Sequence, residues 1–165
     1  MRSGAPMKTR VGIGYDSHRF AAGDGVVLGG VHIPAAVTLV GHSDGDAVAH
    51  ALTDAILGGA GVGDIGELFP DTDAANKGRD SIEMLRLAVA RVRTAGWQCV
   101  QADVTVICEL PKIGPHRAAM RERLAAALGI AHSDVMVKGK TNEKLGWIGN
   151  VEGLAVIAVA TLEAI

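Results

Sequence analysis

The chain has 165 residues, a length that fits one domain with a core able to fold without staples. Its 16 basic and 18 acidic residues leave a formal net charge of −2, and no Lys/Arg block or aromatic-basic interleaving occurs, which argues against nucleic-acid binding. Hydrophobic residues make up 48% of the chain and charged residues 21%, at a mean hydropathy of +0.27, yet no apolar run of about 18 residues exists that could span a membrane.

The apolar mass is Ala, Val, Leu and Ile, and so much of it on a small chain suggests a surface buried between subunits. MRSGAPMKTR lacks the apolar segment of a secretory signal. Residues 1–7 read as a disordered leader, with Met7 as an alternative start, ahead of a single domain over 8–165. KTRVGIG (8–14) predicts a strand, with YDSHRF at its end. GVVLGGVHIP predicts a hairpin turning at GG.

A helix follows. Ser43 and Asp46 form an S-x-x-D start signal, DAVAHALTDAIL carries apolar residues at helical spacing, and Gly58 and Gly59 end it. GVGDIGELFPDTDAANKG is a loop long enough to suggest a function. A second helix begins at Asp80 with Glu83 three residues on, and Gly96 stops it. CVQADVTVICEL predicts a strand carrying both cysteines, Cys99 and Cys108, which cannot bridge each other there. Reduced thiols fit a cytoplasmic protein. Pro115 opens a third helix, DVMVKGK is a strand, TNEKLGWIGN a loop or short helix, and VEGLAVIAVATLEAI a nearly all-apolar strand. The last connections are too short for helical crossovers. The expected fold is therefore α+β: a mixed four-stranded sheet with helices on one face.

Asp16 and His18, two apart in an extended segment, project from one face. D-x-H alone is common by chance, and a helix-buried histidine such as His50 is more often a hydrogen-bonded core residue. Taken together, the three make a His/Asp set of the kind that holds catalytic zinc. Asp46 and Asp54 share the helix face of His50 at i, i+4, i+8, so a carboxylate one turn away could orient the imidazole. His42 and Ser43 precede the helix, where free N–H groups attract a phosphate oxygen, although His42 can also be read as a capping-loop residue. His50 lies about two turns further in, roughly 10 Å by helical rise, so the two histidines should have different jobs. Asp64, Asp71 and Asp73 could accept hydrogen bonds from polyol hydroxyls or be solvated turn residues. Lys140, Thr141, Glu143 and Lys144 could meet a phosphate and a hard cation, or mark a helix start. No Ser/His/Asp pairing, P-loop or dinucleotide fingerprint is present.

IGYDSHRF, GHSDGDAVAHALTDAILGGAGVGDIGELFPDTD and TNEKLGWIG followed by EG resemble the 2-C-methyl-D-erythritol 2,4-cyclodiphosphate synthase family of non-mevalonate isoprenoid biosynthesis, in order from about residue 10 to the end. The resemblance implies a homotrimer with sheets packed about a threefold axis and active sites between subunits. It implies a phosphorus–oxygen lyase. In that reaction the 2-phosphate of 4-diphosphocytidyl-2-C-methyl-D-erythritol 2-phosphate attacks the β-phosphate and CMP leaves. By the same resemblance Asp16, His18 and His50 are Zn2+ ligands, and Glu143 holds a second divalent cation, Mg2+ or Mn2+. His42 and Thr141 stabilise the transition state. Asp64, Gly66, Phe69 and Asp71 line the ribose and erythritol end. Cys108, Pro111, Lys112, Ile113 and Gly114 form the cytidine pocket. Asp16, His18, Ser43, Asp73, Lys140 and Trp147 complete the expected substrate contacts. Two residues depart from the family pattern. Asn150 stands where many members carry an arginine near the trimer axis, and Lys140 where a small residue is usual. The competing readings are a zinc-dependent phosphohydrolase with the same ligands and a non-catalytic nucleotide-binding trimer.

Overall fold

A computed structural model describes residues 7–165; the leader expected over 1–7 falls, save Met7, outside them. Among the described residues seven strands and five α-helices follow one another: β1 (Thr9–Ala22), β2 (Val26–Leu28), β3 (Val31–Ile33), β4 (Val37–Leu39), α1 (Ala47–Ala60), α2 (Ile65–Leu68), α3 (Ser81–Thr94), β5 (Trp97–Ile107), α4 (Arg117–Leu128), β6 (Val135–Lys140), α5 (Gly146–Gly149) and β7 (Gly153–Ala164). The sheet has five strands, not four, in the order β4-β1-β7-β5-β6. The extra one is β4, whose three residues pair antiparallel with the end of β1, Phe20 against Leu39. It is too short to show a period in sequence. β1 runs through GYDSHRF instead of stopping before it. Only β5 and β6 are parallel; β7 is antiparallel to β1 and to β5, so the sheet is mixed, as expected. The hairpin of β2 and β3 turns at Gly29 and Gly30, both with positive φ.

The helices cover one face of the sheet, and α1 sets the spacing. A Cβ placed on Gly14 would lie 1.8 Å from the Ala51 carbonyl oxygen, and one on Gly12 1.8 Å from that of Ala55. Only a residue without a side chain lets α1 approach β1 this closely. Gly14→Ala is expected to destabilise the fold by about 2–3 kcal/mol through overpacking against rigid backbone. Gly58 is exposed with nothing within 4 Å of the same position, so Gly58→Ala should gain about 0.5–1 kcal/mol. Urea unfolding of the two variants checks both signs.

The start and end of α1 differ from expectation. Its N-cap is Asp46, not Ser43: the Asp46 carboxylate accepts from Ala49 N–H at 3.0 Å. The helix runs on through Gly58 and Gly59 and closes on Gly61, whose φ is 72°. Gly59 continues the helix because its bare backbone packs against Gly12. Asp80 caps α3, as its spacing from Glu83 predicts. Pro115 starts a 3-10 turn, Gly114–His116, from which α4 continues.

Among the described residues, no helix covers the opposite sheet face. Val11, Ile13 and Tyr15 of β1 are 66%, 70% and 57% exposed there, beside Ile157 of β7. At the outer edge, Arg117 and Arg121 of α4 donate through Nε to the carbonyls of Val137 and Val135 on β6, at 2.7 and 2.6 Å. None of the helices among the described residues is long and apolar enough to cross a membrane.

Candidate metal centre and nucleotide pocket

Asp16 and His18 point to the helix-covered face of β1, on the same side as Gly12 and Gly14. Their alternation brings Asp16 Oδ2 to 2.8 Å from His18 Nε2. Close packing of α1 over Gly14 then sets His50, in the first turn of α1, with Nδ1 3.2 Å from the same Oδ2. His50 is thus nearer the helix start than the two turns expected. One ligand atom from each of the three side chains lies within 4.8 Å of the others.

The donor set fits a divalent cation. His18 Nδ1 lies 2.8 Å from the Val40 carbonyl, which can only accept, so Nδ1 carries the proton and Nε2 turns its lone pair toward Asp16. Carboxylate and imidazole lone pairs then converge on one half-buried point, which needs a cation or protons. Around zinc at about 2.0–2.1 Å, ligand atoms stand roughly 3.3 Å apart, close to the present spacing.

The charges show the same convergence. Burial pushes the His18 imidazole down, but hydrogen bonds to Asp16 and to the Val40 carbonyl and the Asp16 charge outweigh it, and its pKa is raised. Burial likewise pushes the Asp16 carboxyl up, and His18 and His50 more than reverse this, leaving it below the ordinary value. The metal-free protein should therefore draw stability from the protonated His18–Asp16 pair. That stability is fully present between the unfolded carboxyl and histidine values of about 3.9 and 6.5; it is lost as pH rises through the higher folded value of His18 and as pH falls through the lower one of Asp16. A metal ion requires the neutral imidazole, so metal affinity should fall as pH drops below the folded value of His18. Competition with a zinc indicator across this range, alongside melts of the metal-free protein, checks the two opposite slopes.

The carboxylates expected to orient His50 do other work. Asp46 accepts from Gly29 and Gly30 N–H as well as capping α1, and Asp54 accepts from Ile65 N–H at 2.8 Å. In their place, His50 Nε2 meets Ser81 Oγ at 2.8 Å and Ser43 Oγ at 3.0 Å. Ser81 lies on α3 and carries no signal in sequence; only the packing of α3 against α1 brings it here.

A cavity of about 370 Å³ opens above the triad, lined also by His42, Ser43, Gly66, Phe69 and Asp71. His42 stands in the loop before α1 and is joined to the long loop by Gly78 N–H donating to its carbonyl at 2.9 Å. A smaller cavity beside it, about 240 Å³, holds Asp73 and Lys77 and shares His42 and Asp71. Asp64 lines neither; its carboxylate caps α2.

A second cavity, about 340 Å³, contains Cys108, Pro111, Lys112, Ile113, Gly114, Lys140 and Thr141. It forms past the ends of β5 and β6 and shares no lining residue with the first. Sequence reasoning missed Glu109 and Arg117 there. Glu109 Oε1 accepts from Asn142 N–H at 2.9 Å and Lys144 N–H at 3.2 Å, holding a turn in which Glu143 and Lys144 have positive φ. Glu143 lies in this turn, accepting from Thr141 Oγ1 at 3.2 Å, and is not part of the triad. Trp147 is 42% exposed and lines neither cavity.

Comparison with known proteins gives one consistent answer. Residues 9–163 match the YgbB family. The 2-C-methyl-D-erythritol 2,4-cyclodiphosphate synthase of Gemmatimonas aurantiaca is 65% identical, over 94% of each chain. The bifunctional IspDF of Campylobacter jejuni superposes with a TM-score of 0.92 at 42% identity, covering 96% of this chain and 43% of that one. IspF of Plasmodium falciparum in complex with CDP superposes at 0.83 with 36% identity, covering 94% of this chain and 96% of that one. With the Asp16, His18 and His50 cluster in place, these matches show that the chain belongs to the YgbB family of 2-C-methyl-D-erythritol 2,4-cyclodiphosphate synthases.

Proposed function

We propose that this protein converts 4-diphosphocytidyl-2-C-methyl-D-erythritol 2-phosphate to 2-C-methyl-D-erythritol 2,4-cyclodiphosphate and CMP, in isoprenoid precursor biosynthesis. The observation that carries this is the Asp16–His18–His50 triad facing the same cavity as His42, in a chain of this family. An oxygen of the 2-phosphate forms a bond to the β-phosphorus, and the bond from that phosphorus to the bridging oxygen breaks, so CMP leaves with the bridging oxygen. Zn2+ on the triad would neutralise phosphate charge and hold attacker and acceptor in line, as would Mg2+ or Mn2+ on Glu143.

The chain's own groups do the rest. His42 and Ser43 meet phosphate oxygens at the mouth of the first cavity. Gly66, Phe69 and Asp71 bound the erythritol end, with Asp64 and Asp73 in the same loop. The second cavity takes cytidine against Pro111, Ile113 and Gly114, and Lys112, Lys140 and Thr141 supply donors for its phosphates. Neither acid–base pair nor nucleophile is required, because the attacking group is already an anion and positioning and charge stabilisation dominate. We read residues 8–165 as a single catalytic domain in a phosphorus–oxygen lyase of the cytoplasm. Buried thiols support that compartment: desolvation raises both Cys99 and Cys108 to about 11, which keeps them unreactive.

Two features support a trimer. The helix-free face exposes Val11, Ile13 and Tyr15, and the triad and Thr141 open into separate cavities of one chain. Packing such faces about a threefold axis would let the first cavity of one subunit meet the second of its neighbour, with Trp147 at the seam. Mixing His50→Ala and Thr141→Ala subunits in equal amounts should then restore about one quarter of wild-type activity, since a quarter of the shared sites draw both residues from intact copies. No recovery in proven mixed trimers would place both residues in one subunit's site.

Product analysis in heavy-oxygen water tests the reaction itself. A cyclic diphosphate without solvent oxygen, released with equimolar CMP, is the expected result. A ring-open phosphate carrying one solvent oxygen would show a phosphohydrolase instead. Cytidine nucleotide binding with no turnover in the presence of Mg2+ or Mn2+ would show a binding protein.

A further inference from the structure

His50 has two ring nitrogens, and only one faces Asp16. The other, Nε2, meets α3, where Ser81 Oγ is 2.8 Å distant. Ser81 is fully buried, and its hydroxyl has one proton to give. Two partners compete for that proton: the His50 ring and the Asp44 carboxylate. Asp44 Oδ1 forms a very short contact with Ser81 Oγ, and Asp44 Oδ2 accepts the Ser81 backbone N–H at 3.0 Å. Asp44 Oδ1 also accepts Asp46 N–H at 3.1 Å, so the carboxylate is fixed from both sides. An ionised carboxylate can only accept. The Ser81 proton therefore goes to Asp44, and Ser81 Oγ is left as an acceptor for His50 Nε2–H. Ser43 Oγ, 3.0 Å from Nε2 and accepting Gly45 N–H at 3.4 Å, adds a second, longer acceptor.

We propose that Asp44 and Ser81 are positioning residues for the metal centre: the chain Asp44–Ser81–His50 places the His50 proton on Nε2 and turns the Nδ1 lone pair onto the metal point. This rests on the reading that Asp16, His18 and His50 hold a metal ion. The relay matches on α1 what the Val40 carbonyl does for His18 on β1. The two histidines then bind through different nitrogens, His18 through Nε2 and His50 through Nδ1, each held by the hydrogen bond on its far side. The residues come from three places, the loop before α1, the start of α3 and α1 itself, so the relay also ties the docking of α3 to metal affinity.

Ser81→Ala removes the acceptor and leaves the Asp80 cap of α3 in place. In zinc competition titrations it should bind about 10–100-fold more weakly than wild type. In nitrogen NMR of the metal-free protein, the His50 Nε2 signal should shift on loss of its Ser81 acceptor, and it should not shift in Asp80→Ala. Asp80→Ala is the structural control: it weakens the same helix end and should leave zinc affinity unchanged. Ser81→Cys, with nearly the same volume and a weaker acceptor, should fall between wild type and alanine, and it serves where alanine fails to fold. Asp44→Asn keeps a carbonyl acceptor and should lose less affinity than Ser81→Ala. Zinc affinity in Ser81→Ala or Ser81→Cys equal to wild type, or an equal loss in Asp80→Ala, overturns the relay. A wild-type protein that binds no zinc overturns the metal centre itself, a separate outcome.

Discussion

His50→Ala is expected to purify without a stoichiometric metal ion and to release CMP at least about a thousandfold more slowly, roughly 4 kcal/mol of lost transition-state stabilisation. The reason is local. Asp16 Oδ2 lies at the centre of the triad, within 2.8 Å of one imidazole and 3.2 Å of the other. Removing His50 leaves two ligands where a catalytic zinc takes three. The fold should survive, because the His50 side chain is half-buried at the cavity wall and the apolar stripe of α1 is untouched. Zinc content and single-turnover CMP release, measured on one preparation, make the test. Full CMP release by a zinc-free His50→Ala protein would remove the metal from the mechanism.

Asp46→Ala should be the most damaging change to the fold, about 3–6 kcal/mol, lowering the melting temperature by about 10–20 °C. The Asp46 carboxylate is fully buried and accepts three backbone N–H groups: Gly29 at 2.8 Å, Gly30 at 2.7 Å and Ala49 at 3.0 Å. It caps α1 and anchors the hairpin turn to it in one stroke. Alanine leaves the buried Gly29 and Ala49 donors and the half-buried Gly30 donor without this partner. Burial raises the Asp46 carboxyl to about 6, against the pull of those N–H donors and with help from the Asp44 charge. Its folded pKa is therefore above the unfolded value of about 3.9, so ionising it costs some stability as pH rises from that value toward about 6, while the three N–H bonds to the carboxylate persist. Asp46→Asn should flatten this part of the pH–stability curve; an unchanged slope would show that another group causes it.

The triad was legible because each member carried a local signal: D-x-H in a strand and a histidine inside an apolar helix. The orienting groups were not. Spacing put Asp46 and Asp54 on the face of His50, but periodicity reports which residues share a side, not what each meets there. Asp46 had a turn to anchor and Asp54 a backbone N–H at Ile65 to accept. Ser81 is 31 residues from His50, and no short-range rule reaches that far. The strand count failed for a related reason. β4 owes its strand to the length of β1, which extends past the triad and offers Phe20–Ala22 as partners. The residues Cys108–Gly114 of the second cavity were named by resemblance alone; their types, among them Pro, Gly and Ile, carry no chemistry that a sequence displays by itself.

The arginines along β6 have a consequence for how one copy of this chain could add to another. An exposed strand edge is a template for fibril growth, since any extended segment can add to its free carbonyls and amides. Here the Val135 and Val137 carbonyls are already taken by guanidinium groups of α4, and the opposite edge is the three-residue β4. Ribbon-like addition is blocked on one side and offered almost nothing on the other. Contact through the bare sheet face is the route left open, and faces meeting about a symmetry axis close on themselves. Arg117→Ala with Arg121→Ala should thus show its defect on storage at high concentration, as thioflavin-positive aggregate, before it shows in turnover.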